Sequence, residues 1–129
     1  VTEAVADYAQ LVREHPADVV IRREHAAVLL DAGRRDDARL ALALVLEQTP
    51  EDETAFRTLV RSATSPADLE ALAARMARLR ERRPGSAVLA ERELELWHRL
   101  DRSTEAMRVA AELAALRRQQ APAAPPEGR

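Results

Sequence analysis

Residues 31–52 read DAGRRDDARLALALVLEQTPED. Gly33 marks a turn, Ala38, Leu42, Val45 and Leu46 recur at the three-to-four-residue spacing of one helix face, and Pro50 stops the run because it has no N–H to continue the ladder. Pro16, Pro50 and Pro84 close three such runs at a constant offset of 34 residues. The same offset holds at positions that the prolines do not select. It joins Ala4, Ala38, Leu72 and Ala106, then Tyr8, Leu42, Met76 and Ala110, then Leu11, Val45, Leu79 and Leu113. Every member is apolar although 33% of the chain is charged. A period of this length predicts stacked helix-turn-helix units, each burying its apolar stripe against its neighbours.

Composition agrees. The 129 residues include three glycines and a single Phe, Tyr and Trp, too few for a β-sandwich, a barrel or a Gly-rich nucleotide loop. The abundant Ala, Leu and Arg are good helix formers. With a net charge of −2 and a pI near 6.0, no bulk attraction to nucleic acid or to an anionic membrane is expected. Cysteine is absent, which excludes disulfides and thiolate chemistry. All basic residues other than histidine are Arg, there is no Lys or Asn, and Ile21 is the sole isoleucine; the missing residue types have AT-rich codons, which points to a GC-rich, bacterial genome. No apolar run has the length of a membrane span and no signal peptide is recognisable. A cytoplasmic location is therefore expected, with the reservation that the chain begins at Val1 inside a repeat pattern and reads as a fragment that a targeting segment could precede.

Residues 3–14 read as the second helix of a unit whose first helix is missing. Asp18 is a plausible N-cap for a helix over Val19–Ala32, Gly33 supplies the turn, and the next helix runs from Arg35 to Gln48. The second unit opens at Glu51-Asp52, with Ala55, Phe56, Leu59 and Ala63 on its apolar stripe. Ser65-Pro66-Ala67-Asp68 is a helix start, and that helix reaches Arg83. The third unit opens at Ser86 and ends in a helix over Thr104–Gln119. The expected organisation is a half repeat at 1–16, repeats at about 17–50, 51–84 and 85–118, and a disordered Pro/Ala-rich tail at 119–129, where APAAPPEGR holds three prolines.

The chain at this point resembles the tetratricopeptide repeat (TPR) family. EAVADYAQLVREHP follows the family's second-helix pattern as Ala4, Tyr8, Leu11, Val12 and Pro16, and DDARLALALVLEQTP follows it as Ala38, Leu42, Val45, Leu46 and Pro50. The first-helix pattern is matched less well. Phe56 and Leu59 fit it, but Arg22 and His25 stand at the corresponding places one repeat earlier, and the small packing residue is Ala26 in one unit yet Val60 and Leu94 in the others. The resemblance covers roughly residues 1–118. It implies an all-α fold, a right-handed α-solenoid of about three and a half repeats.

The resemblance further implies a non-enzymatic interaction scaffold or adaptor that binds a peptide or a partner helix in a concave groove lined by first helices. Candidate groove residues are Arg23 and Ala27, then Arg57, Arg61 and Thr64, then Glu91, Glu95 and His98. Arg57 and Arg61 stand one turn apart, and arginine forks suit carboxylates, so an acidic peptide is the expected ligand. The lysines and asparagines of the family's carboxylate-clamp members are missing: Ala27 and Thr58 hold the asparagine places and only Arg23 and Arg92 keep the charge. A standard chaperone clamp is therefore not expected. The alternative function is a structural one, in which Tyr8, Leu11 and Val12 on the uncovered first helix dock to another copy or to an upstream domain.

No catalytic residue, cofactor or metal is expected. His15, His25 and His98 have no ligand spacing, and no nucleophile lies in a recognisable motif. Arg75, Arg78 and Arg82 form a helical stripe that reads as a solvated outer face, without the aromatic residues that nucleic-acid binding calls for. Glu93 falls on a core stripe; Arg80 or Arg108 would have to pair with it there, and exposure at the array end is the simpler expectation.

Overall fold

The computed structural model describes residues 2–122. Seven helices and no strand occur among the described residues: α1 (Thr2–Glu14), α2 (Val19–Asp31), α3 (Arg35–Gln48), α4 (Glu53–Arg61), α5 (Pro66–Arg82), α6 (Ala87–Arg99) and α7 (Ser103–Gln120). The fold is all-α, a succession of helical repeats of the α-solenoid class. Two compact units are distinguished, Val1–Leu69 and Glu70–Arg129. In the first, α2 packs against both α1 and α3, and α3 packs against α4; in the second, α6 packs against α7.

The 34-residue period is written into the helix ends. Asp18, Asp52 and Ser86, each 34 residues from the next, cap α2, α4 and α6. Their side chains accept from the backbone N–H of Ile21 at 3.1 Å, Ala55 at 2.9 Å and Leu89 at 3.2 Å, satisfying a donor that a helix start otherwise leaves orphaned. The C-termini of α2 and α6 also match. Gly33 (φ 75°) and Asp101 (φ 54°) both adopt the left-handed conformation. The N–H of Gly33 donates to Leu30 and that of Arg34 to Leu29. Correspondingly, Asp101 donates to His98 and Arg102 to Trp97. Both ends are Schellman motifs, in which a left-handed residue lets two N–H groups turn back onto the last carbonyls.

The second repeat departs from this plan. α4 has nine residues where α2 and α6 have thirteen, and α5 has seventeen. Ser65-Pro66 begins α5 early, since Pro at the first helical position needs no donor, so the connection moves about one turn toward the N-terminus. Ala63, expected on the α4 stripe, therefore lies outside the helix. Without a left-handed residue, the end of α4 is held from α3: Arg39 donates to the Leu59 carbonyl and the Ser62 hydroxyl, both at 2.6 Å, and Arg35 donates to the Ser62 carbonyl at 3.0 Å.

The core follows the predicted columns in the middle of the chain and thins at its ends. Ala38, Leu42, Val45, Leu72, Met76, Leu79, Ala106 and Leu113 are buried. Tyr8 is half-buried, while Leu11 and Ala110 are exposed. In the first unit Val5 joins Leu29 and Ala38 in one apolar cluster, and in the second Ala90, Val109 and Leu113 form another. Glu93 is a correction to the expected exposure. It is 1% exposed, accepts from Arg80 at 2.8 Å and from the Trp97 indole N–H at 2.9 Å, and so satisfies a charge that would be costly to bury alone. Arg108 instead pairs with Glu112 at 3.8 Å. At the C-terminus α7 runs to Gln120, and residues 123–129 of the expected tail lie outside the described residues.

Candidate interaction surfaces

The predicted groove residues of the first unit differ in what surrounds them. Arg23 donates to the side chain of Asp52, the buried N-cap of α4, so its charge is spent joining α2 to the start of α4. Ala27 is exposed beside it. On α4, Arg61 is exposed and donates to the Thr58 hydroxyl at 3.3 Å. Arg57 is half-buried with its guanidinium 5.2 Å from the centroid of the Phe56 ring, close enough for a cation–π attraction. Because Phe56 is buried, the ring is fixed and in turn limits where the Arg57 fork can point. α4 thus presents two cationic forks one turn apart.

Thr64 does not belong to that helix face. It lies in the α4–α5 connection, where its N–H donates to Asp68 at 3.0 Å. Asp68 also accepts from Arg35 at 3.0 Å. The backbone hydrogen bond from Thr64, followed by the one from Arg35, holds the Asp68 carboxyl below the usual aspartate range despite an opposing desolvation.

In the second unit the structure brings Glu91, Glu95 and His98 to a single depression of about 570 Å³, also lined by Leu94, Arg99, Leu113 and Arg117. The last four were not among the expected groove residues: Leu94 and Leu113 were named only for packing and periodicity, Arg117 comes from α7, and Arg99 lies beyond the mapped face. Glu91 pairs with Arg117 at 2.8 Å and Glu95 with Arg99 at 3.2 Å. The two glutamates are therefore largely neutralised on the spot, leaving an apolar floor of Leu94 and Leu113 with a mixed rim.

The predicted docking residues on α1 face different surroundings. Tyr8 donates from its hydroxyl to Glu24 of α2 at 3.0 Å, and that bond to a carboxylate raises the phenol above its usual range. Leu11 is 37% exposed, and Val12 lines a groove between α1 and α3. Among the described residues no group of three or more His, Asp or Glu side chains is placed to hold a metal ion, and no helix is long and apolar enough to cross a membrane.

Residues 1–63 match the family model described as tetratricopeptide repeat. No curated protein matches the chain.

Proposed function

We propose that this chain, whose residues 1–63 match the model of a family whose repeats generally bind protein partners, is a non-enzymatic interaction module that takes an acidic peptide or helix on α4. The observation that supports this reading is the pair Arg57 and Arg61, one turn apart and not buried beneath other elements. Two guanidinium forks at that spacing suit successive carboxylates on one face of a partner helix or along an extended acidic segment. Arg23 contributes less, since Asp52 already occupies it.

The test compares lysate pull-downs by the native protein and by Arg57→Glu/Arg61→Glu, after circular dichroism shows equal helicity. Loss of a specific acidic partner from the variant is the expected result. Retention of the same partner by both proteins counts against the α4 surface. Exposed Leu11 favours a second reading, in which Tyr8, Leu11 and Val12 dock to another copy or to an upstream domain; a native protein that sediments as a monomer would remove the copy-to-copy form of it.

A further inference from the structure

Positions 22 and 25 of α2 correspond, at the 34-residue offset, to positions 56 and 59 of α4. On α4 these are Phe56, fully buried, and Leu59, 3% exposed. On α2 they are Arg22 and His25, neither of which fills the same apolar volume. A groove of about 340 Å³ remains between α1 and α3, with Val5, Ala9 and Val12 on one wall, Ala41 and Leu44 on the other, and Leu29 of α2 beneath. The offset shows what filling would do: Leu46, one repeat on from Val12, is completely buried, whereas Val12 is only half-buried. Leu40 and Leu44, at the mouth, are 61% and 42% exposed.

The rim has one sign in excess. Arg22 and Arg34 stand beside His25, and among the described residues the one carboxylate lining the groove, Asp37, already accepts from Arg34 at 2.6 and 2.9 Å. His25 registers this surplus: burial lowers its pKa most, and the charges of Arg34 and Arg22 lower it further against the opposing pull of Asp37.

We propose that this groove docks an acidic amphipathic helix of a partner protein. Two bulky apolar side chains one turn apart would supply the volume that Phe56 and Leu59 provide from within the next repeat, and a flanking carboxylate would meet Arg22, since Asp37 already holds Arg34. A second copy of the chain is the poorer fit, because a two-fold contact would bring the same basic rim against its own image. The surface is formed by α1, α2 and α3, so it stands or falls independently of Arg57 and Arg61.

The probe is a fluorescein-labelled helical peptide with Phe and Leu one turn apart and Glu on the flanking turns, compared with the same peptide bearing Lys in place of Glu. Anisotropy titration should show the Glu peptide bound at least about tenfold tighter than the Lys peptide. Arg22→Phe/His25→Leu, which fills the groove from inside, should weaken the Glu peptide at least about tenfold and raise the Tm. Leu44→Glu, at an exposed position that leaves folding intact, should weaken it comparably and decides the matter if the double variant does not fold. No binding of the Glu peptide at millimolar concentration, equal binding of the two peptides, or unchanged binding by a correctly folded Leu44→Glu would overturn the proposal. So would a native dimer that Leu44→Glu converts to monomer, since the occupant would then be a second copy.

Discussion

Gly33 and Asp101 perform the same backbone task with different chemistry. Both close a Schellman motif in the left-handed region, where a side chain brings Cβ against the following carbonyl oxygen. A Cβ added at Gly33 would meet no other atom within 4 Å, so the cost of Gly33→Ala is conformational alone, roughly 1–2 kcal/mol. Asp101 already bears that strain, softened by the tolerance of aspartate for this conformation. Asp101→Gly is therefore expected to raise the urea midpoint while Gly33→Ala lowers it, with helicity unchanged in both. A fall in the midpoint for Asp101→Gly would show that its side chain contributes more than the relieved strain. Gly33 as a turn was plain in the sequence, but Asp101 was not. An aspartate is compatible with many turn positions, and only the 68-residue offset from Gly33 marks it.

At the level of the helix, legibility followed punctuation. The span of α3 is the one expected from Gly33 and Pro50, and the start of α5 follows Ser65-Pro66. What the periodicity concealed is that this second start displaces the first: a strict 34-residue copy extends α4 across Ser65, and a helix cannot run into a proline there. The candidate surface was legible to the same extent. Arg57 and Arg61 are fixed by spacing within one helix, whereas the engagement of Arg23 by Asp52 and of Thr64 by Asp68 depends on where helix ends meet. The burial of Glu93 was hidden for the same reason, since its partners come from α5 and from its own next turn.

The pH dependence comes from one group in the middle of a helix and one at a helix start. His25, on α2, resists protonation in the folded state, so below the usual histidine range the unfolded chain binds the extra proton and stability falls. Asp68, at the start of α5, has a lowered pKa; its contribution is complete above the usual aspartate range and is lost as pH falls toward its folded value. Both contributions have the same sign. Urea denaturation from neutral pH downward should show stability declining through the histidine range and again through the carboxylate range. His25→Gln should flatten the upper limb and Asp68→Asn the lower one. A slope unchanged by either substitution would assign the acid sensitivity to other groups.

Across the whole molecule, the three repeats differ in how they end their first helices. α2 and α6 finish on a left-handed residue and local hydrogen bonds, whereas the end of α4 adds to its local bonds from Ser62 and Ala63 the side chains of Arg35 and Arg39, which lie more than twenty residues before its last residue. That contrast sets an order in time. The α2–α3 and α6–α7 hairpins contain everything needed to nucleate, with short loops that cost little entropy to close, while the end of α4 gains its full set of bonds once α3 has offered its arginines. Folding should therefore begin at two separated seeds and finish at the short fourth helix. Arg39→Met would then accelerate unfolding and leave the refolding rate nearly untouched. A matching slowdown in refolding would mean that α4 is in place from the outset.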